Sequence, residues 1–168
     1  RDRALDLEGS LSALVNNAST LGASPLPRLD ELRPETFEHV LRTNVVAPLA
    51  LTAALLPQLR EQDGRVLGLS SDAAVEPYPG WGGYGASKAA LDHASAVLAV
   101  EEPRLRVYAV DPGDLRTAMH QAAFPGEDIS DRPLPETVVP ALLRLLEEAP
   151  EDAPPSGRYR AAELLVTA

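Results

Sequence analysis

Leu105-Arg106-Val107-Tyr108-Ala109-Val110-Asp111-Pro112-Gly113 is an apolar run that ends abruptly in a turn. Its apolar residues scarcely alternate with polar ones, which marks a strand covered on both faces, as in a parallel sheet. Two earlier stretches have the same form. Ser12-Ala13-Leu14-Val15 runs into Asn16-Asn17, and Arg65-Val66-Leu67-Gly68-Leu69 runs into Ser70-Ser71. A weaker fourth strand is expected within Arg158 to Val166. Between these lie helical patterns. Pro34-Glu35 suits a helix start, and Phe37, Val40, Leu41, Val45 and Leu49 open an apolar stripe that runs to Leu59. A second helix is expected from about Gly83 to Val100, and a third from Pro135-Glu136 through Leu146. Strands alternating with helices predict an α/β chain built on a doubly wound parallel sheet.

The composition suits that architecture. The chain has 168 residues, 45% hydrophobic and 24% charged, enough apolar material for one domain with one core spanning residues 1–168. A formal net charge of -10 repels phosphate backbones and anionic lipid heads, so neither nucleic acid nor membrane is an expected partner. No uninterrupted apolar run approaches the roughly 18 residues of a membrane span. The absence of cysteine excludes disulfides and thiolate metal sites. His39, His93 and His120 are scattered, which offers no metal site. A cytoplasmic protein is expected. Arg1 to Glu8 look like the tail of a helix entering a buried strand, so the sequence reads as the later part of a larger domain.

Three strand ends carry unusual polar or turn-forming residues: Asn16-Asn17, Ser70-Ser71 and Asp111-Pro112-Gly113. In open α/β sheets ligands bind beyond the carboxyl ends of the strands, so these ends predict one site. Tyr84-Gly85-Ala86-Ser87-Lys88 opens the second helix, and its spacing puts Tyr84 and Lys88 on one helical face. A free phenol has a pKa of about 10, and a nearby ammonium lowers it, making Tyr84 a candidate general acid/base. Lys88 is the only lysine in a chain with 15 basic residues, where position 88 calls for a compact ammonium. Asn44 occupies a slot of the apolar stripe, where a buried amide must hold something in place.

Together these residues resemble the short-chain dehydrogenases/reductases. The resemblance rests on Asn16-Asn17-Ala18-Ser19, Asn44, Ser71, Tyr84-x-x-x-Lys88 and Pro112-Gly113-x-x-x-Thr117, with thirteen positions from Ser71 to Tyr84. It spans nearly the whole chain. It implies a Rossmann-type sheet, represented here by its later strands and helices, and hydride transfer between NAD or NADP and a small-molecule carbonyl or alcohol. By the same resemblance, Tyr84 would exchange the substrate oxygen's proton, and Lys88 would lower the tyrosine pKa and hold the nicotinamide ribose. Ser71 would hydrogen-bond the substrate oxygen, and Asn44 would support a water in a proton relay. Asn16, Asn17 and Ala18 would line the cofactor, while Pro112, Gly113 and Thr117 would face its nicotinamide end. The alanines Ala86, Ala89, Ala90 and Ala94 would allow close helix packing in a homo-oligomer, a dimer or tetramer.

The sequence departs from the family in three ways. The Thr-Gly-x-x-x-Gly-x-Gly loop that cradles the pyrophosphate is not in these 168 residues, nor is the acidic or basic residue that decides NAD against NADP, and Ser19 stands where the family commonly has glycine. The alternative is a truncated or degenerate relative that acts as a binding or oligomerisation module.

Two look-alikes are set aside. Gly80-Trp81-Gly82-Gly83-Tyr84-Gly85 matches G-x-G-x-x-G, but no strand precedes it. Gly68-Leu69-Ser70-Ser71-Asp72 approaches a hydrolase nucleophile elbow, but Asp72 stands where that strained turn needs glycine. Residues 113–134 form a long connection expected to act as a substrate lid carrying Met119, His120 and Phe124, with His120 solvated. Trp81 and Tyr78 are expected pocket walls. Glu147 to Gly157 is expected to be a solvated acidic connector.

Overall fold

A computed structural model describes residues 10–149 and 151–165. The helix tail expected at Arg1 to Glu8 lies outside the described residues. Four strands form one parallel sheet in the order β1 (Ala13–Asn16), β2 (Arg65–Leu69), β3 (Arg106–Asp111) and β4 (Gly157–Arg160). The register pairs Leu14 with Val66 and Val66 with Val107.

Alternation of side chains along the strands divides the core in two. On one face, Leu67, Tyr108 and Val110 pack with Ala141, Leu145 and Leu164. On the other, Leu14, Val66 and Val107 pack with Leu55 and Leu59. Burial on both faces explains the unbroken apolar runs of β2 and β3, and each such leucine contributes about 1.5–3 kcal/mol. β1 differs. It is the edge of the sheet among the described residues, and Val15 is 44% exposed.

The helix expected over 34–59 is three pieces: α1 (Pro34–Leu41), a π-helical turn (Arg42–Val46) and α2 (Ala47–Glu61). Pro48 explains the wide turn. It has no N–H to give the carbonyl of Asn44, and its ring crowds that carbonyl. The backbone therefore widens, and Ala47 N donates to Arg42 O, five residues back. By length and composition alone, Pro34–Glu61 could cross a membrane, since an 18-residue window within it has mean hydropathy 1.5, which a search for uninterrupted apolar runs overlooks. Its centre instead carries buried Asn44 and Thr52, both hydrogen-bonded within the domain.

The second helix is α3 (Gly82–Glu101). Segment 80–85 opens this helix after a turn rather than after a strand, as its rejection as a phosphate loop requires. The long connection after β3 contains a short helix, α4 (Ala118–Ala123). The third expected helix begins as a 3-10 turn (Pro135–Val138) and continues as α5 (Val139–Glu147).

Two expectations are corrected here. The fourth strand stops at Arg160, and Ala161–Leu165 form α6, because Ala, Glu and Leu are strong helix formers. The acidic connector is also tied to the sheet. Tyr108 Oη donates to Pro154 O at 3.0 Å, and Val107 N donates to Ser156 Oγ at 3.0 Å.

Candidate active site

The carboxyl ends of β1, β2 and β3 open into one cavity of about 930 Å³. Asn17 and Ala18 reach it from β1, Ser70 and Ser71 from β2, and Asp111, Pro112 and Gly113 from β3. The start of α3 adds Trp81, Tyr84 and Lys88, and the connection after β3 adds Thr117, Met119, His120 and Phe124. A cavity of this size is in the range of small-molecule sites.

Tyr84 is brought to Ser71 by a close approach of backbone. A Cβ on Gly85 would lie 2.5 Å from the Ala73 carbonyl oxygen, so glycine lets α3 press against the 3-10 turn Asp72–Ala74. Ser71 caps that turn, accepting from Ala73 N at 3.2 Å and donating to Asp72 Oδ1 at 3.0 Å. Tyr84 is 7% exposed, and burial pushes its phenol up to about 12. The hydroxyls of Ser19 and Ser71 pull it down, while Asp111 and Asp72 push it further up.

Lys88 is 3% exposed, and its Nζ donates to Leu69 O at 2.6 Å, 5.5 Å from the Tyr84 ring centroid. Burial lowers its pKa to about 8, against the opposing charge of Asp92. The lowering of the tyrosine expected from its lysine is thus reversed in this chain, because desolvation of the phenol dominates.

Asn44 Nδ2 donates to Thr20 O and to Ser87 Oγ, each at 2.9 Å, and Oδ1 accepts from Thr20 N at 2.8 Å and Ser19 Oγ at 3.3 Å. All four positions of the amide are filled by protein. Asn44 therefore acts by tying the loop after β1 to α3. Ser87 continues the tie, donating to Tyr84 O at 2.6 Å. Asn16 also stands apart from the cavity lining, its Nδ2 donating to Thr52 Oγ1 at 3.2 Å. Thr117 lines the cavity and caps α4, accepting from His120 N at 3.1 Å.

Pro112-Gly113 turns the chain out of β3. Gly113 has φ +76°, a region that favours glycine, and its N–H donates to Asp111 Oδ1 at 2.9 Å. A Cβ there would meet nothing within 4 Å, which leaves open space beside the turn.

Three residues stand closer to the site than the sequence suggested. Ser19 faces the Tyr84 phenol, although it stood out only as a substitution for glycine. His120 was expected to be solvated, yet its side chain is 10% exposed and lines the cavity. Arg158 on β4 reaches behind the site, donating to Asp92 Oδ2 at 3.0 Å and to Ser71 O at 2.8 Å. His39 and His93 are exposed on helices, as expected.

Comparison with known proteins places these features in a family. The short chain dehydrogenase family model matches residues 2–128. The chain is 38% identical over 138 residues to the uncharacterized oxidoreductase YciK of Escherichia coli (strain K12), covering 81% of this chain and 54% of that protein. It is 39% identical over 113 residues to sepiapterin reductase of Xenopus laevis, covering 66% of this chain and 43% of that protein. A short chain dehydrogenase from Shigella flexneri, solved in complex with NADP, superposes with a TM-score of 0.87 at 33% identity, covering 96% of this chain and 67% of its own. The chain thus spans about half the length of the curated relatives it matches. With its parallel sheet and the convergence of Ser71, Tyr84 and Lys88 on one cavity, the chain belongs to the short-chain dehydrogenase family.

Proposed function

We propose that the protein carrying this chain is a nicotinamide-dependent oxidoreductase that interconverts a carbonyl and an alcohol. The observation that carries this reading is a buried, protonated phenol at Tyr84 sharing one cavity with the Ser71 hydroxyl and the Lys88 ammonium. The residues present fit the nicotinamide end of NAD or NADP. The open space at Gly113 admits a flat ring, and Asn17, Ala18, Lys88, Pro112 and Thr117 surround the same volume. When bound, the cofactor supplies or accepts the hydride.

The chain's own residues handle the proton. With its pKa near 12, Tyr84 is protonated at neutral pH and donates to the carbonyl oxygen as negative charge develops there. Ser71 Oγ lines the same cavity, and its single O–H turns from Asp72 Oδ1 to that oxygen when the carbonyl is bound. The Lys88 ammonium, anchored on Leu69 O, stabilises the phenolate that remains. In the alcohol-to-carbonyl direction the same phenolate accepts the proton. The walls formed by Trp81, Met119 and Phe124 exclude water from this exchange.

The protein also acts as a cytoplasmic homo-oligomer in this reading. Ala86, Ala90, Val97 and Val100 leave an exposed small and apolar face on α3, and Val46, Leu49 and Leu51 are exposed near the start of α2. Apolar surface of this kind favours association.

The test is reduction of a panel of carbonyl compounds by the full-length protein with NADPH or NADH. Replacing Tyr84 with Phe should lower kcat by roughly 10²–10⁴-fold, the usual contribution of a positioned acid, with an unchanged circular dichroism spectrum. Undiminished turnover in Tyr84→Phe removes this residue from the mechanism.

A further inference from the structure

Behind the cavity, the end of β2 is fastened at three consecutive residues. Leu69 O accepts from Lys88 Nζ at 2.6 Å, Ser70 Oγ donates to Asp92 Oδ2 at 2.7 Å, and Ser71 O accepts from Arg158 Nη2 at 2.8 Å. Arg158 Nε also donates to Asp92 Oδ2, at 3.0 Å. The ties meet at Asp92. It takes Ser70 from β2 and Arg158 from β4 while standing one helical turn after Lys88 on α3. Asp92 does not line the cavity, so whatever part it has is taken through these neighbours.

Charge makes that position matter. Lys88 is 3% exposed, and among the described residues its ammonium hydrogen-bonds only to a neutral carbonyl. An ammonium taken out of water without a counter-charge gives way to the neutral amine. Asp92 opposes that loss. The side chains of Asp92 and Arg158 are largely buried, so solvent ions screen them little. The other titratable or charged groups around Lys88 are Tyr84 on the same helix, Asp72 on the 3-10 turn, Asp111 and Asp114 at and after the end of β3, and His120 on α4, all lining the cavity. Removing the Asp92 carboxylate has two effects of one sign. It withdraws the negative charge that supports the lysine, and it leaves the Arg158 guanidinium as a second cation with its main partner gone.

We propose that Asp92 is a positioning residue for the reaction: it supplies the counter-charge to Lys88 and, through Ser70 and Arg158, holds the turn that presents the Ser71 hydroxyl to Tyr84. The part of the lysine in turnover rests on the reductase reading, whereas the coupling of Asp92 to Lys88 does not.

The test measures Lys88 directly. The full-length protein, labelled with carbon-13 at lysine Cε, is titrated by NMR, and the resonance missing from Lys88→Arg identifies Lys88. The wild-type midpoint should lie at about 8. In Asp92→Asn the side-chain amide still accepts from Ser70 Oγ while the charge is gone, and the midpoint should fall by about one pH unit, the lower end of the effect of a neighbouring opposite charge. The alkaline limb of kcat for carbonyl reduction should fall with it. Asp92→Glu restores the charge and should bring both most of the way back. Asp92→Asn combined with Arg158→Gln leaves no orphaned cation, so its midpoint should lie between those of Asp92→Asn and the wild type. This double variant carries the comparison with wild type if Asp92→Asn does not fold. A merely structural role would lower Tm and the kcat plateau and leave the midpoint in place, a result that overturns the proposal. A midpoint that moves in a protein reducing no carbonyl compound sustains the coupling and overturns the reductase reading. An active reductase whose midpoint and alkaline limb are the same with and without the Asp92 charge does the reverse.

Discussion

Arg158 Nη2 donates to the backbone carbonyl of Ser71 at 2.8 Å, so a residue of the last strand holds the turn that carries the site hydroxyl. The same guanidinium binds Asp92 Oδ2 at 3.0 Å and stands 3.7 Å from Asp111 Oδ2. Asp92 in turn accepts from Ser70 Oγ at 2.7 Å and favours the charged form of Lys88. One planar cation thereby organises the ends of β2 and β3 and the carboxylate nearest the lysine.

Replacing Arg158 with Leu should therefore disturb both folding and turnover. Asp92 loses its charged hydrogen bond, Asp111 keeps only Arg160 nearby, and a charged hydrogen bond of this kind contributes about 2 kcal/mol. The expected result is a lower Tm and a kcat reduced about tenfold, because 1.36 kcal/mol corresponds to one factor of ten. Arg158→Lys should recover part of the Tm but little of the rate, since an ammonium cannot span Asp92 and Ser71 O together. Wild-type kcat in both variants would show that the Ser71 turn needs no such hold.

The pH dependence of reduction follows from two buried groups shifted in opposite directions. Lys88 is lowered to about 8 and Tyr84 raised to about 12. Below pH 8 the amine is charged and the phenol protonated, the state that reduction needs. As pH rises through about 8 the ammonium is lost first, with the phenol still protonated. The rate of carbonyl reduction should accordingly fall above pH 8. Lys88→Arg stays charged throughout, so it should remove this limb while lowering the plateau. A wild-type profile flat to pH 10 contradicts this assignment of the lysine.

Asn44 is the joint between α3 and the loop after β1. In Asn44→Ala the Thr20 backbone and the Ser87 hydroxyl lose their partners within a buried pocket, at a cost of about 2–3 kcal/mol. Asn44→Asp should cost nearly as much, because a carboxylate cannot donate to Thr20 O or Ser87 Oγ. Denaturant unfolding at neutral pH measures both. A loss under 0.5 kcal/mol, roughly the scale of an ordinary surface change, would show that the joint carries no strain.

Much of the architecture was legible because it is local. The apolar runs at Leu14, Val66 and Val107, each followed by polar turn residues, marked three strands and the end of the sheet where ligands bind. The failures had local causes too. Pro48 widened a helix that its apolar stripe made look continuous, and Ala161–Leu165 coiled where an extended strand was expected. The direction of the Tyr84 shift was out of reach, because it depends on how completely Trp81 and its neighbours exclude water from the phenol.

The sequence by itself determined the parallel strands, the four-residue interval that sets Tyr84 beside Lys88, and the polar strand ends that converge on one crevice, because these depend on neighbours in the chain and on alternation or helical period. Only the tertiary structure decided that Ser19 would face the phenol, that His120 would be enclosed with a free nitrogen, and that Arg158 would brace Ser71. The last of these joins residues 87 positions apart. Contacts at such separations are created by the order of strands in the sheet and the path of the chain across its edge, and no periodicity within a segment encodes them.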